Sequence, residues 1–180
     1  ESEYTIREED GELREVGAVV QKESDKEGVE LKSDVIWRLF QETYLKVDGP
    51  YRLINNKLNA NVENGVAHSH FYGKLQHKDT IFEVIGTGNG PIDAFFNAIH
   101  GERMDKYEFI DYKEHAISRG SDSQAVAYIQ LRDKEGTDIF GVGIDHNISM
   151  ASIKGILCAI NRGKALEHER EAAAAAAQQS

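Results

Sequence analysis

Several things are scarce in this chain, and each scarcity excludes a class of function. Among 180 residues there is one cysteine, Cys158, which rules out an internal disulfide and a thiolate metal cluster. It lies in "IKGILCAI" and reads as a small buried hydrophobe. Basic residues are in deficit: 21 Lys and Arg stand against 31 Asp and Glu, a net charge of −10. Such a surface repels a polyanion, so nucleic acid is not the expected partner. No stretch resembles a signal peptide or a run of about 18 apolar residues. No membrane partner is expected, and the reducing cytoplasm is the natural compartment. The length suits one domain with an appendage but not a catalytic barrel as well. Ser69, Ser118, Ser121 and Ser123 lack the sharp strand-to-helix turn of a nucleophilic serine, so no catalytic residue is expected.

What the chain does have is a 40% hydrophobic content, enough for a core. Residues 1–30 are charge-rich around one apolar island, "VGAVV", and "KESDKEG" reads as a solvated loop. Over residues 33–45, Ile36, Trp37, Phe40 and Tyr44 recur at helical spacing behind Ser33, a candidate N-cap. "KVDGP" then breaks the chain. The expected organisation is therefore a small helical linker subdomain over 1–49, a main domain over 50–165 and a flexible tail over 166–180. The tail's alanine run favours helix by propensity but offers no core face.

In the main domain, strand patterns over 51–62, 65–78 and 80–86 lead into a helix over 91–100, with Pro91 in its first turn and Ile92, Phe95, Phe96 and Ile99 on one stripe. The plan recurs as strands over 106–117, 123–133 and 137–145 and a closing helix over 149–163. Aligning the halves sets Phe82 on Phe140 and Val84 on Val142, then Ala98-Ile99 on Ala159-Ile160 after a three-residue slip. These patterns predict an α+β fold of two tandem βββα units with pseudo-two-fold symmetry, a two-layer arrangement of sheet and helix.

Three constellations invite a function. In "VIGTGNGPIDAFFNAI", Gly86, Gly88 and Gly90 precede the helix. The spacing is not that of a dinucleotide fingerprint, and no Walker lysine follows. What remains is a structural turn with glycines at positive φ, or a cradle for a small carboxylate at a helix N-terminus. "HSH" puts His68 and His70 on one strand face, but two ligands do not make a zinc site. A small-residue stripe runs through Tyr112, Ala116, Ser123, Ala125 and Ala127. The space it leaves is filled by the domain's own helices, by a partner subunit or by a small apolar ligand.

Taken together, "GTGNGPIDAFFNAI", "IDYKEHAISRGSDSQAVAYIQL" and "FGVGIDHNISMASIKGILCAINR" strongly resemble the C-terminal regulatory domain of the alpha-isopropylmalate synthase family, over residues 51–162. The segment before them resembles part of that family's linker subdomain. The resemblance implies a homodimer that binds L-leucine at its interface and thereby inhibits a distant catalytic barrel, which condenses acetyl-CoA with 2-oxoisovalerate. It implies binding roles for Gly88, Asn89, Gly90, Ile92 and Asp93 in the first motif. Phe109, Tyr112, Ala116 and Ser123 take them in the second, and Ile148 in the third. Gly88, Asn89 and Gly90 would receive the leucine carboxylate; Tyr112, Ala116 and their neighbours would line its isobutyl group. The divalent metal belongs to the barrel, so no cofactor is expected here, "HSH" is not to be equated with the barrel's histidine ligands, and this chain alone should not catalyse the condensation. Two alternatives stand beside this reading: the similar isoleucine-sensing domain of citramalate synthase, and a dimerisation module that binds no ligand.

Overall fold

A computed structural model of the chain describes residues 33–45, 49–100, 106–119 and 121–179. The apolar island and charged loop expected before residue 31 lie outside the described residues. The chain divides into two compact units, Glu1–Val47 and Asp48–Ser180. In the first, helix α1 (Ser33–Phe40) is continued by the π-helical residues Gln41–Leu45. Leu39, Phe40 and Tyr44 are buried, and the rings of Phe40 and Tyr44 lie 5.2 Å apart, as i,i+4 neighbours on a helix should.

The second unit reads β1 (Tyr51–Glu63), β2 (Val66–His77), β3 (Thr80–Gly88), α2 (Pro91–Ile99), β4 (Glu108–Arg119), β5 (Asp122–Arg132), β6 (Asp138–Asp145) and α3 (Ile148–Gln178). This is the expected succession of two βββα units. Each half forms its own antiparallel three-stranded sheet, in the orders β1-β2-β3 and β4-β5-β6. Asn64 and Gly65 both take positive φ, the conformation a tight hairpin turn between β1 and β2 requires. Gly136 does the same between β5 and β6, where Asp133 Oδ1 accepts the backbone N–H groups of Glu135 at 3.0 Å and Thr137 at 2.9 Å.

Period-two alternation gives each sheet one face for its helix. On β2, Phe71 and Leu75 point inward, as do Ile129 and Leu131 on β5. They share one continuous core with Phe95 and Ile99 of α2 and with Ile153, Ile156 and Ile160 of α3. Cys158 is buried. The opposite face of the first sheet carries His70, whose Nδ1 lies 3.0 Å from Thr87 Oγ1, and Tyr72, which donates to Glu83 at 2.8 Å. His68 shares that face. Among the described residues no group of three or more His, Cys, Asp or Glu is placed to hold a metal ion.

The internal repeat is visible in how helices meet strands. A Cβ on Gly86 would fall on the Ala94 carbonyl and the Ala98 amide; on Gly141 it would fall on the Gly155 carbonyl and the Ala159 amide. Gly86 therefore corresponds to Gly141, 55 residues on, while Ala98 corresponds to Ala159, 61 residues on. The helix pairing expected from sequence holds. The strand pairing does not: Val84 matches Ile139 rather than Val142, and both sit in the core. Shared Phe-x-Val letters misled the alignment, whereas the physical constraint is the glycine pair that lets a helix backbone lie on a strand. The same contacts set aside the positive-φ turn, since among glycines of the described residues only Gly65 and Gly136 have positive φ.

The closing helix also exceeds its expected end. It runs without a break through the alanine stretch to Gln178, where most of its residues are exposed. Arg170 fastens the extension to the β5–β6 hairpin, reaching Asp133 at 2.9 Å, Glu135 at 2.6 Å and the Thr137 hydroxyl at 2.5 Å. No helix among the described residues is long and apolar enough to cross a membrane.

Candidate functional site

Two helix N-termini and one strand enclose a cleft of about 750 Å³. From the first half come Asn89, Gly90 and the opening turn of α2, with Pro91, Ile92, Asp93 and Phe96; from the second come Phe109, Tyr112 and Glu114 of β4 and Ile148, Ser149 and Ser152 of α3. The chain builds these ends differently. Gly90 caps α2 with an extended backbone, φ −163°, and no side-chain bond. Proline at the first helical position gives up an N–H that would have no intrahelical acceptor. On α3, Asn147 caps through its side chain, accepting the Met150 amide at 3.1 Å.

The walls are apolar where the two halves face each other. Phe96 meets Phe109 edge-on, with centroids 5.9 Å apart and planes at 76°. Phe109 and Ile148 remain 37% and 38% exposed, so the cleft presents part of its apolar lining to solvent. The polar groups are few. Tyr112 donates its hydroxyl to the Glu114 carboxylate, and Ser152 Oγ lies 3.4 Å from the Tyr112 hydroxyl and 3.0 Å from the Ile148 carbonyl.

The two helix dipoles are not equally available. Asp93 lies in the first turn of α2 and accepts the Asn89 amide at 2.9 Å, so its charge already offsets that positive end. The first turn of α3 holds no acid. Its opening N–H groups have no intrahelical acceptors, and an anion in the cleft is favoured at that end. Asp145, just before α3, sits aside: burial would raise its carboxyl, yet Lys154 at 2.7 Å and the Asn147 amide at 2.8 Å hold it below the usual carboxylate range.

Of the ten residues to which the resemblance gives a binding role, the cleft gathers seven: Asn89, Gly90, Ile92, Asp93, Phe109, Tyr112 and Ile148. Gly88 is a ladder residue opposite Ser69, where an added Cβ would meet the Ala94 amide and the Asp93 carboxylate. Ala116 pairs with Ala125 and Ser123 with Ser118, toward the β4–β5 turn. These three are not among the lining residues. Of the three loop glycines, Gly86, Gly88 and Gly90, only Gly90 keeps open space, with no atom within 4 Å of an added Cβ. The lining residues that sequence reasoning missed sit at predictable offsets. Phe96 and Ser152 follow Ile92 and Ile148 by one helical turn, and Glu114 follows Tyr112 by the strand period of two.

Comparison with known proteins places the chain in a family. A family model described as the LeuA allosteric (dimerisation) domain matches residues 30–164. A 2-isopropylmalate synthase of Clostridium acetobutylicum is 42% identical over 154 residues, covering 83% of this chain and 27% of that protein. One from Pseudomonas entomophila is 35% identical over 158 residues, 88% of this chain and 27% of its own length; one from Thermobifida fusca is 36% identical over 150 residues, 83% and 25%. The chain thus spans about a quarter of the length of the curated relatives it matches. With the family match covering both βββα units and the cleft between them, the chain belongs to the LeuA allosteric (dimerisation) domain family.

Proposed function

We propose that this chain is the effector-binding regulatory part of a 2-isopropylmalate synthase and that its effector is L-leucine. The cleft between the halves carries the reading. Its volume of about 750 Å³ lies in the range of small-molecule sites, apolar with a few placed polar groups. Ile92, Phe96, Phe109 and Ile148 suit an isobutyl group, and the α3 N-terminus beside Ser149 suits a carboxylate. Gly90 contributes close access for the ligand's polar end. A single amino acid fills only part of the space. The remainder, with the exposed Phe109 and Ile148, fits the surface of a second copy, which gives a homodimer with the effector at its interface.

On this reading the chain serves a catalytic barrel elsewhere in the same enzyme, in the cytoplasm, and leucine slows that barrel's condensation of acetyl-CoA with 2-oxoisovalerate. The divalent metal belongs to the barrel, and none is assigned here. An effector needs to bias the barrel by only about 1–3 kcal/mol to regulate it. Calorimetric titration with L-leucine and L-isoleucine tests the assignment. Tighter binding of leucine is expected; tighter binding of isoleucine points to a citramalate-type sensor, and no heat from either leaves a dimerisation module. Sedimentation with leucine present should show a dimer, and a concentration-independent monomer at tens of micromolar counts against the interface. The purified chain should release no free CoA from acetyl-CoA and 2-oxoisovalerate.

A further inference from the structure

We infer that Glu114 is the group with which the cleft recognises an effector's ammonium, so that an α-amino acid binds in preference to the 2-oxo acid of the same carbon skeleton. This inference rests on the effector-binding reading above. Two carboxylates line the cleft, and they differ in commitment. Asp93 is drawn into the first turn of α2, accepting the Asn89 amide at 2.9 Å. Glu114 stands on β4, two residues beyond Tyr112, and its neighbour in the site is the Tyr112 hydroxyl that donates to it. A carboxylate has about four lone-pair positions, so this bond orients Glu114 without exhausting it.

No lysine or arginine is among the lining residues. The charge of Glu114 thus has no cationic partner within the cleft wall, and a cationic ligand would supply one. The opposite pole is close by. Ser152, in the opening turns of α3, lies 3.4 Å from the Tyr112 hydroxyl, so Ser152, Tyr112 and Glu114 form a line from the helix end that favours an anion to the carboxylate that favours a cation. A zwitterion matches both poles. The corresponding 2-oxo acid keeps the carboxylate and the apolar tail but turns a carbonyl oxygen toward Glu114, which leaves that carboxylate desolvated and facing a second acceptor.

The test compares L-leucine with 4-methyl-2-oxopentanoate by calorimetry, on the wild-type chain and on Glu114→Gln, which keeps the side chain's length and its acceptor for Tyr112. The wild type should prefer leucine by about tenfold or more, the range of a charge-assisted hydrogen bond. In Glu114→Gln the preference should fall toward parity through loss of leucine affinity, with the 2-oxo acid bound as well as before. A merely structural role would weaken both ligands together. If Glu114→Gln keeps the wild-type preference, or loses both ligands equally, the inference is overturned while the effector reading stands. If the wild type binds neither ligand, the effector reading fails and takes this inference with it. Circular dichroism and melting temperature establish that the variant is folded, as expected for an exposed strand position.

Discussion

Gly90 and Gly143 lack a Cβ for opposite reasons, and substitution should separate them. On Gly143 an added Cβ would fall on the Ala151 carbonyl and meet the Gly155 amide at 2.5 Å, backbone atoms that cannot swing away. Gly143→Ala should therefore cost about 1–3 kcal/mol in urea denaturation, the price of overpacking. Gly90 has an extended backbone and open space around its Cβ position, so Gly90→Ala should stay within about 0.5 kcal/mol of wild type. On the proposed reading, Gly90→Asp should fold equally well yet lose leucine binding, because a charged side chain would fill the open space through which the ligand's polar end gains access. Unchanged calorimetric affinity in that variant would remove Gly90 from the site. His115 supplies a pH dependence. Burial lowers its pKa, and its Nε2 has no hydrogen-bond partner among the described residues. The unfolded chain then takes up a proton more readily than the folded one, so this group's contribution is present above about pH 6.5 and is lost as pH falls below it. Melting temperature should decline between pH 7 and pH 5 less steeply in His115→Gln than in wild type.

Among the elements, α3 does more than cover its own sheet. Asn161, buried within it, accepts the Tyr51 amide at 3.0 Å and donates to the Tyr51 carbonyl at 2.9 Å, clasping the start of β1 from the other half of the repeat. Gly49 leaves room for that side chain. Asn161→Ala strips two backbone groups of their partner and should cost about 2–4 kcal/mol, with fastest amide exchange gained at the beginning of β1. A loss confined to α3 would show that the clasp is incidental. Elements of this kind were only partly legible in the sequence. Strand alternation and the Ile92, Phe95, Ile99 stripe announce the βββα order because burial on one face imposes a period. The clasp and the Arg170 tether leave no periodic trace, since they join residues more than 30 positions apart. The end of α3 lies beyond its expected place for a related reason: alanine propensity favours a helix there but no core face marks its extent, and the Arg170 ion pairs with a distant hairpin leave no local signal. The site divides likewise. Gly90, Ile92, Tyr112 and Ile148 are marked by family resemblance, while Glu114 and Ser152 become visible only when the strand and helix that carry them converge.

At the scale of the whole molecule, the cleft draws one wall from each half of the repeat, and the halves share one core. Their two sheets are not hydrogen-bonded to each other, so what joins them is side-chain packing across α2 and α3 and the Asn161 clasp. A ligand spanning Ile92 and Phe96 on one side and Phe109, Tyr112 and Ile148 on the other adds a further bond between them, made only in the folded state. Binding is then linked to folding: leucine at 100 times its dissociation constant should stabilise the domain by about 2.7 kcal/mol. Because the core is continuous, that gain should move one cooperative transition for the 48–180 unit rather than split it, and calorimetric and van't Hoff enthalpies should remain equal per cooperative unit once dimer dissociation is included. In Asn161→Ala the halves are more loosely joined, and leucine should recover part of the lost cooperativity. Two transitions in the wild type, with leucine raising only one of them, would mean that the ligand sits on a single half and that the cleft between the halves is not where it binds.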